Sequence, residues 1–274
     1  MAVVFPTNTW QAYNFRDMDR DGVGDTWYAD PSIRRVNLAR PYVQGGMPRY
    51  FRNNTLPFIR WMRRHGKTAD FFADDDFVRF PSGRWLASHY ALFVFPGHEE
   101  YVTPTEYDLM TAYRNRGGNL AFLSANNFFY RVTRSGNQLY GRTRWRDNGR
   151  PEAALVGVQY VGWHEGIYDQ EPYVVKGRAT APWVYEGTGL RNGERFGRFG
   201  IEVDARTPSS PPRTLLLARA RDIFGRGKSA EMTYYRTARG AKVFAAGVLN
   251  FAARAGQFPV DRLIKNVFAK LEVR

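Results

Sequence analysis

At 274 residues, 43% hydrophobic and 16% aromatic, the chain is long enough to bury a sizeable core and too apolar to be disordered. It has no cysteine, which excludes disulfides, thiolate metal sites and a cysteine nucleophile, and leaves the redox compartment open. Its formal charge of +14 raises the question of nucleic acid, but the basic residues are scattered and the densest cluster, Arg142, Arg144 and Arg146, is interrupted by Asp147. With no helix-turn-helix, RNA-recognition or zinc-finger pattern, nucleic-acid binding is not expected.

No apolar run approaches the roughly 20 residues a membrane span needs. The N-terminus, MAVVFPTNTW, lacks a basic segment and a cleavage-site pattern, so no signal peptide is expected. The chain opens directly on a strand-like run, as a domain cut from a longer or processed chain would.

Residues 2–5 predict the first strand, ended by Pro6. Residues 7–14 (TNTWQAYN) read two ways: a functional loop beyond a strand end, or a Trp/Tyr anchor on the sheet edge. The sharpest local motif follows. Asp17, Asp19, Asp21 and Asp25 place acidic oxygens at positions 1, 3, 5 and 9 of a loop, with Gly22 at position 6 and the Val23 carbonyl at position 7. Hard Ca²⁺ asks for that arrangement. The phrase is similar to the calcium loops of thrombospondin type 3 and dockerin repeats. Position 12 is Tyr28 and not the bidentate Glu of an EF-hand, so a further carboxylate such as Asp30 has to complete the shell. The other reading is a solvated acidic turn; we expect calcium, in a structural role.

Residues 36–38 suggest a second strand, followed by Arg40-Pro41-Tyr42. Residues 54–65 predict a helix stopped by Gly66, and residues 68–72 a third strand running into Asp74, Asp75 and Asp76, read as helix-capping aspartates. Residues 91–95 form a short apolar run suited to a strand buried on both faces. It stops at Pro96-Gly97, and His98, Glu99, Glu100 and Tyr101 come next. A helix over 106–116 and a strand over 120–124 lead to Ala125-Asn126-Asn127. This alternation of strand and helix predicts a largely parallel sheet flanked by helices, an α/β domain spanning residues 1–274.

From Phe128 the character changes. Short β-like runs at 156–161, 173–175, 183–185, 215–218, 232–235 and 243–246 alternate with turns, and residues 128–212 read as a β-rich insertion. Residues 259–271 predict an amphipathic closing helix.

No G-x-S-x-G elbow and no H-x-x-x-H pair is present. Tyr13, Tyr42, His98, Glu100 and Asn126 all follow predicted strand ends, and in a parallel sheet those ends share one edge. Two phenols and a carboxylate make a hard, all-oxygen ligand set that suits trivalent iron. On the residues alone, both tyrosines are equally ordinary packing groups.

The pieces FPTNTWQAYN, ARPY, FPGHEEY, GGNLAFLSANN, YEGTGL, GIEVD and VFAAGVLNF, in this order, resemble the C-terminal catalytic domain of the large subunit of N,N-dimethylformamidase. The resemblance spans nearly the whole chain. It implies a class I glutamine amidotransferase-like, flavodoxin-like fold without the cysteine nucleophile. It also implies a mononuclear iron, Fe³⁺, held by Tyr13, Tyr42 and Glu100, with His98 and Asn126 lining the pocket. By the same resemblance the expected activity is hydrolysis of small amide C–N bonds. His98 would move protons, Glu100 would hold the metal or act as base, and Asn126 would donate to the oxyanion. A small subunit, an upstream domain or a second copy of the chain is an expected partner. The alternative is a non-catalytic, calcium-stabilised domain that binds a glycan or protein partner.

Overall fold

Strand-length apolar runs with side chains buried on both faces decide the architecture. The structure, a computed structural model, describes every residue except 31, 44, 165–170, 225–226 and 274. Its first half holds β1 (Ala2–Phe5), α1 (Thr7–Ala12), β2 (Arg35–Asn37), α2 (Leu56–Arg64), β3 (Asp70–Ala73), α3 (Gly83–His89), β4 (Leu92–Phe95), β5 (Tyr101–Val102), α4 (Pro104–Asn115) and β6 (Asn119–Phe122). Then come β7 (Tyr130–Ser135), β8 (Gln138–Arg144), α5 (Ala153–Val156), β9 (Gln159–Trp163), β10 (Glu171–Val175), β11 (Arg195–Phe199) and β12 (Glu202–Ala205). The chain closes with β13 (Leu215–Ala220), β14 (Ala230–Arg236), β15 (Lys242–Ala245) and α6 (Val260–Leu271).

Nine strands form the main sheet, in the order β11, β10, β13, β14, β15, β6, β4, β1, β3. The run from β15 to β3 is parallel. The run from β11 to β15 is antiparallel. The expected fold class is therefore corrected: this is a β-rich fold on a mixed sheet, and not a largely parallel, flavodoxin-like α/β sheet. Strand–helix alternation, which requires crossovers and so parallel pairing, ends with β6. Later strands follow one another directly, and the connection from β14 to β15 is a five-residue turn, Thr237 to Ala241, closed by Thr237 N–H donating to the Ala241 carbonyl. Such a link joins only antiparallel neighbours.

Alternate residues of the central strands feed two cores. Val3, Leu92, Val94, Ala121 and Phe244 face one, covered by Phe58, Trp61 and Met62 of α2 and by Leu263, Ile264, Val267, Phe268 and Leu271 of α6. Val4, Phe93, Phe95, Phe122 and Val243 face the other, under Leu86 of α3 and Tyr107, Met110 and Tyr113 of α4. Two smaller sheets stand beside the main one, β2-β8-β7-β5 and β12-β9.

Three local expectations change. Residues 183–185 belong to a 3₁₀ turn, Pro182–Tyr185, opened by its proline. The run at 156–161 breaks at Gly157, whose φ of +94° ends α5 before β9 begins. Residues 7–12 form helix α1, too short to show a periodic pattern.

Candidate metal and catalytic site

The loops that leave β1, β4 and β6 meet at one end of the parallel strands. Gly97 lets the loop after β4 press against the one after β1, because a Cβ there would lie 2.9 Å from Pro6 Cγ. Thr9 Oγ1 then accepts from the backbone N–H groups of both Glu100 (3.0 Å) and Tyr101 (3.1 Å). Asn127 Oδ1 accepts from Glu99 N–H at 3.2 Å. With its amides committed, the segment His98–Tyr101 is held rigidly and its side chains are aimed.

Glu100, 3% exposed, is the centre. Tyr28 donates its hydroxyl to Glu100 Oε2 at 3.1 Å, and Tyr13 also hydrogen-bonds this carboxylate. The rings of Tyr13 and Tyr28 stack at 4.2 Å. Tyr101 OH lies 2.5 Å from Tyr28 OH, which adds a third phenol behind the pair. Asn126 Nδ2 donates to Glu100 Oε1 at 3.3 Å. His98 Nε2 stands 3.5 Å from Glu100 Oε2 and 3.0 Å from Glu202 Oε2. Those are ion-pair separations only, since neither ring nitrogen has hydrogen-bond alignment with any group.

Two strained residues frame the pocket. Asn126 has φ +53° and its N–H donates to Asp204 Oδ1 at 2.8 Å. Ile201, β-branched and so ill-suited to the left-handed region, has φ +66° immediately before Glu202. Strain of that kind persists only where surrounding structure imposes it, and it gathers at functional sites.

The electrostatics follow from packing acids into a dry space. Burial pushes Glu100 up, the His98 charge pulls it down and Glu202 pushes it up again, leaving it at about 7. Asp204 is lifted to about 7, chiefly by burial, against the Asn126 N–H. Burial drives the His98 imidazole down, but Glu202, Glu100 and Asp204 outweigh it and raise it to about 9. Burial and then the Glu100 charge hold the phenols of Tyr13 and Tyr28 well above 10. Tyr28 leaves 41% of its surface exposed, but the exposed part is the ring and the hydroxyl end is enclosed. The His98 charge offsets part of the repulsion among Glu100, Glu202 and Asp204.

The donor set fits a hard metal ion. Glu100, Tyr13 and Tyr28 present oxygens from one side. His98 Nδ1 and Nε2, Glu202 Oε2 and Asn126 Oδ1 are buried polar atoms without hydrogen-bond partners on the other. Buried polar atoms are normally paired, and these lie beside the Glu100 carboxylate, with His98 Nε2 3.5 Å from its Oε2 and 3.0 Å from Glu202 Oε2. A narrow cleft reaches His98 and Tyr13 past Trp10, Arg49, Tyr50 and Asn54.

Of the residues expected from sequence, Tyr13, His98, Glu100 and Asn126 come together here. Tyr42 does not. Burial raises its phenol to about 12, and its hydrogen-bond partner is Gln11, with Asp74 and Arg40 the charges it feels. Asn126 places one of its two side-chain N–H groups on Glu100, and so positions that carboxylate. Tyr28, Glu202 and Asp204 were missed. Tyr28 is position 12 of the calcium-like loop, where it counted only as a missing carboxylate. Glu202 and Asp204 lie in GIEVD, inside a β pattern that gives no hint of where their side chains point.

The acidic loop itself is a self-bonded turn. Asp17 accepts from Arg20 N–H (2.6 Å) and Gly22 N–H (3.0 Å), Asp21 from Val23 N–H (2.7 Å) and Asp25 from Met18 N–H (2.9 Å). One oxygen each from Asp17, Asp19 and Asp21 falls within 4.8 Å of the others. Asp30 turns away onto Ser32 N–H at 2.7 Å.

The model of the family described as N,N-dimethylformamidase beta subunit-like, C-terminal, matches residues 1–258. The chain belongs to this family. No curated protein matches this family member. Among solved structures, it is similar to the mmIFT52 N-terminal domain, with 10% identity, a TM-score of 0.47, and 79% of this chain and 90% of the other covered. It is also similar to the exo-beta-1,4-mannosidase Op5Man5 from Opitutaceae bacterium strain TAV5, with 12% identity and a TM-score of 0.45, covering 100% of this chain and 36% of the mannosidase. No helix of this family member's described residues is long and apolar enough to cross a membrane.

Proposed function

We propose that the chain is a metal-dependent hydrolase of small amide C–N bonds, with a single ferric ion held by Tyr13, Tyr28 and Glu100. The reading rests on one observation: two phenols meet a buried carboxylate opposite orphaned polar atoms of His98, Glu202 and Asn126. The formamidase named in the family's description supports the substrate class.

Bound there, the ion supplies Lewis acidity toward a carbonyl oxygen and a lowered pKa for a water. The protein's own groups divide the remaining work. Tyr13 and Tyr28 would hold the ion as phenolates, and Asn126 fixes the Glu100 carboxylate that would hold it with them. Glu202, in contact with His98, accepts a proton from the attacking water. His98, kept as imidazolium by its acidic neighbours, donates to the leaving nitrogen. The C–N bond breaks as the water oxygen bonds to the carbonyl carbon, giving carboxylate and amine. The narrow aromatic entrance favours a small, uncharged amide.

The test uses purified protein, its iron content and its hydrolysis of N,N-dimethylformamide and related formamides. Tyr28→Phe is expected to lose both bound iron and activity, while Tyr42→Phe keeps both. A wild type that binds no iron, or a Tyr28→Phe variant that binds it fully, overturns the reading.

We further infer that the Asp17–Asp25 loop takes Ca²⁺, supported by its ligand spacing. Because Tyr28 follows directly, the ion would steady this phenol. Adding Ca²⁺ should raise the melting temperature of wild type but not of an Asp17→Asn/Asp19→Asn/Asp21→Asn variant. The beta subunit in the family's description also supports assembly with a further chain, to be read from light scattering of the protein alone and mixed with candidate partners.

A further inference from the structure

Behind Glu100, on the opposite side of its backbone, lies a second acidic cluster that the proposed reaction does not use. Asp74 (2% exposed), Glu99 (0%) and Glu106 (0%) bring one carboxylate oxygen each to within 4.8 Å of the others. Asp74 Oδ2 is satisfied by Thr7 Oγ1 (2.7 Å) and Asn8 N–H (2.6 Å). Asp74 Oδ1 and all four oxygens of Glu99 and Glu106 have no hydrogen-bond partner outside the three carboxyl groups themselves.

Glu106 gives an independent sign. Thr103-Pro104-Thr105-Glu106 is a capping-box sequence, and Thr103 Oγ1 does accept from Glu106 N–H at 3.3 Å. The reciprocal bond, from the N-cap N–H to the Glu106 carboxylate, is the usual half of that box. Here it is missing: the carboxylate turns inward to Asp74 and Glu99 instead. The nearby Arg134 guanidinium is engaged with Asp75 (3.2 Å) and Asn8 Oδ1 (3.4 Å) and forms no ion pair with the three.

We propose that Asp74, Glu99 and Glu106 form a buried structural site for a hard divalent cation of the Ca²⁺ or Mg²⁺ type. Three carboxylates are an all-oxygen set that such ions prefer, and oxygens ~2.4 Å from one Ca²⁺ lie at most ~4.8 Å apart. Burying the three charges without a cation is costly, and removing one partner from a buried charged cluster destabilises it strongly. The ion would clamp the end of β3, the loop after β4 and the first turn of α4, and so fix the backbone that presents Glu100 to its own site. The competing arrangement is proton sharing, in which two of the acids are neutral and donate to Asp74.

The experiment uses the full chain carrying Asp17→Asn/Asp19→Asn/Asp21→Asn, which silences the surface loop. After exhaustive dialysis, elemental analysis is expected to find about one equivalent of Ca²⁺ or Mg²⁺. Glu106→Gln in the same background should abolish it. Because that variant could fail to fold, infrared spectra of the parent before and after chelation give a second reading. Protonated-carboxyl absorption should appear only after the metal is stripped, and disappear on adding Ca²⁺. No retained divalent ion, protonated-carboxyl absorption in the protein as purified, or full retention in a folded Glu106→Gln variant overturns the proposal. Neither readout involves amide hydrolysis, so this site and the proposed reaction fail separately.

Discussion

His98 shows how far a side chain's chemistry is set by neighbours distant in sequence. Its imidazole is buried, which alone would make it neutral, yet Glu202 and Glu100 raise it to about 9. In metal-free Glu202→Gln protein, burial should regain control and the His98 pKa, followed by NMR, should fall by more than one unit. The same substitution should reduce kcat/KM for formamides by about 10²-fold or more while leaving iron bound, the loss expected of a general base or acid. At this scale the sequence was partly legible. His98, Glu100 and Asn126 each sit just past an apolar strand, so the strand ends predicted their meeting. Tyr42 satisfied the same rule and still points elsewhere, onto Gln11. A phenol's direction is decided by loop geometry, which a strand pattern does not encode, and for that reason Tyr28 went unseen.

Elements are fastened by a few contacts with measurable consequences. Gly83 opens α3 where a Cβ would lie 2.5 Å from Ala112 Cβ and 2.6 Å from Tyr113 N in α4. Gly83→Ala should cost about 1–3 kcal/mol in urea unfolding, as overpacking against a backbone atom does. On the antiparallel half, Glu231 of β14 holds Arg206 (Nε to Oε2, 2.8 Å) and Arg219 (Nε to Oε1, 2.9 Å). Burial works to raise its pKa, but the two guanidinium groups prevail and lower it below the usual carboxylate value. A depressed carboxyl contributes stability above its unfolded pKa of ~4.3, and that contribution is lost as pH falls through the folded pKa. Unfolding followed from pH 6 to pH 3 should therefore be less pH-dependent in Glu231→Gln than in wild type. The elements themselves were readable where patterns were long, as in α6. They were misread where a proline or a left-handed glycine redirected a β-like run, as at Pro182 and Gly157.

For the molecule as a whole, alternation along the central strands supplies two cores that share one sheet. Phe268 of α6 packs against Phe58 (5.9 Å between ring centres) and Trp61 (5.1 Å) of α2. Phe268→Ala should lower global stability by about 3–5 kcal/mol, seen as a lower urea midpoint. Of the strands in the first 122 residues, β1, β3, β4 and β6 pair in parallel, while β2 and β5 join a side sheet. The later β-like runs read as an elaboration plus the sheet's last strands; β13, β14 and β15 do join it, but so do β10 and β11 from within 128–212, because pairing partners far apart in the chain leave no local mark. The sheet's composite origin carries a further consequence. Tyr13, Tyr28, Glu100 and Asn126 all come from the chain up to the loop after β6, but Glu202 and Asp204 arrive only on β12. On the proposed reaction, a fragment that ends before β12 would lack its proton acceptor, Glu202.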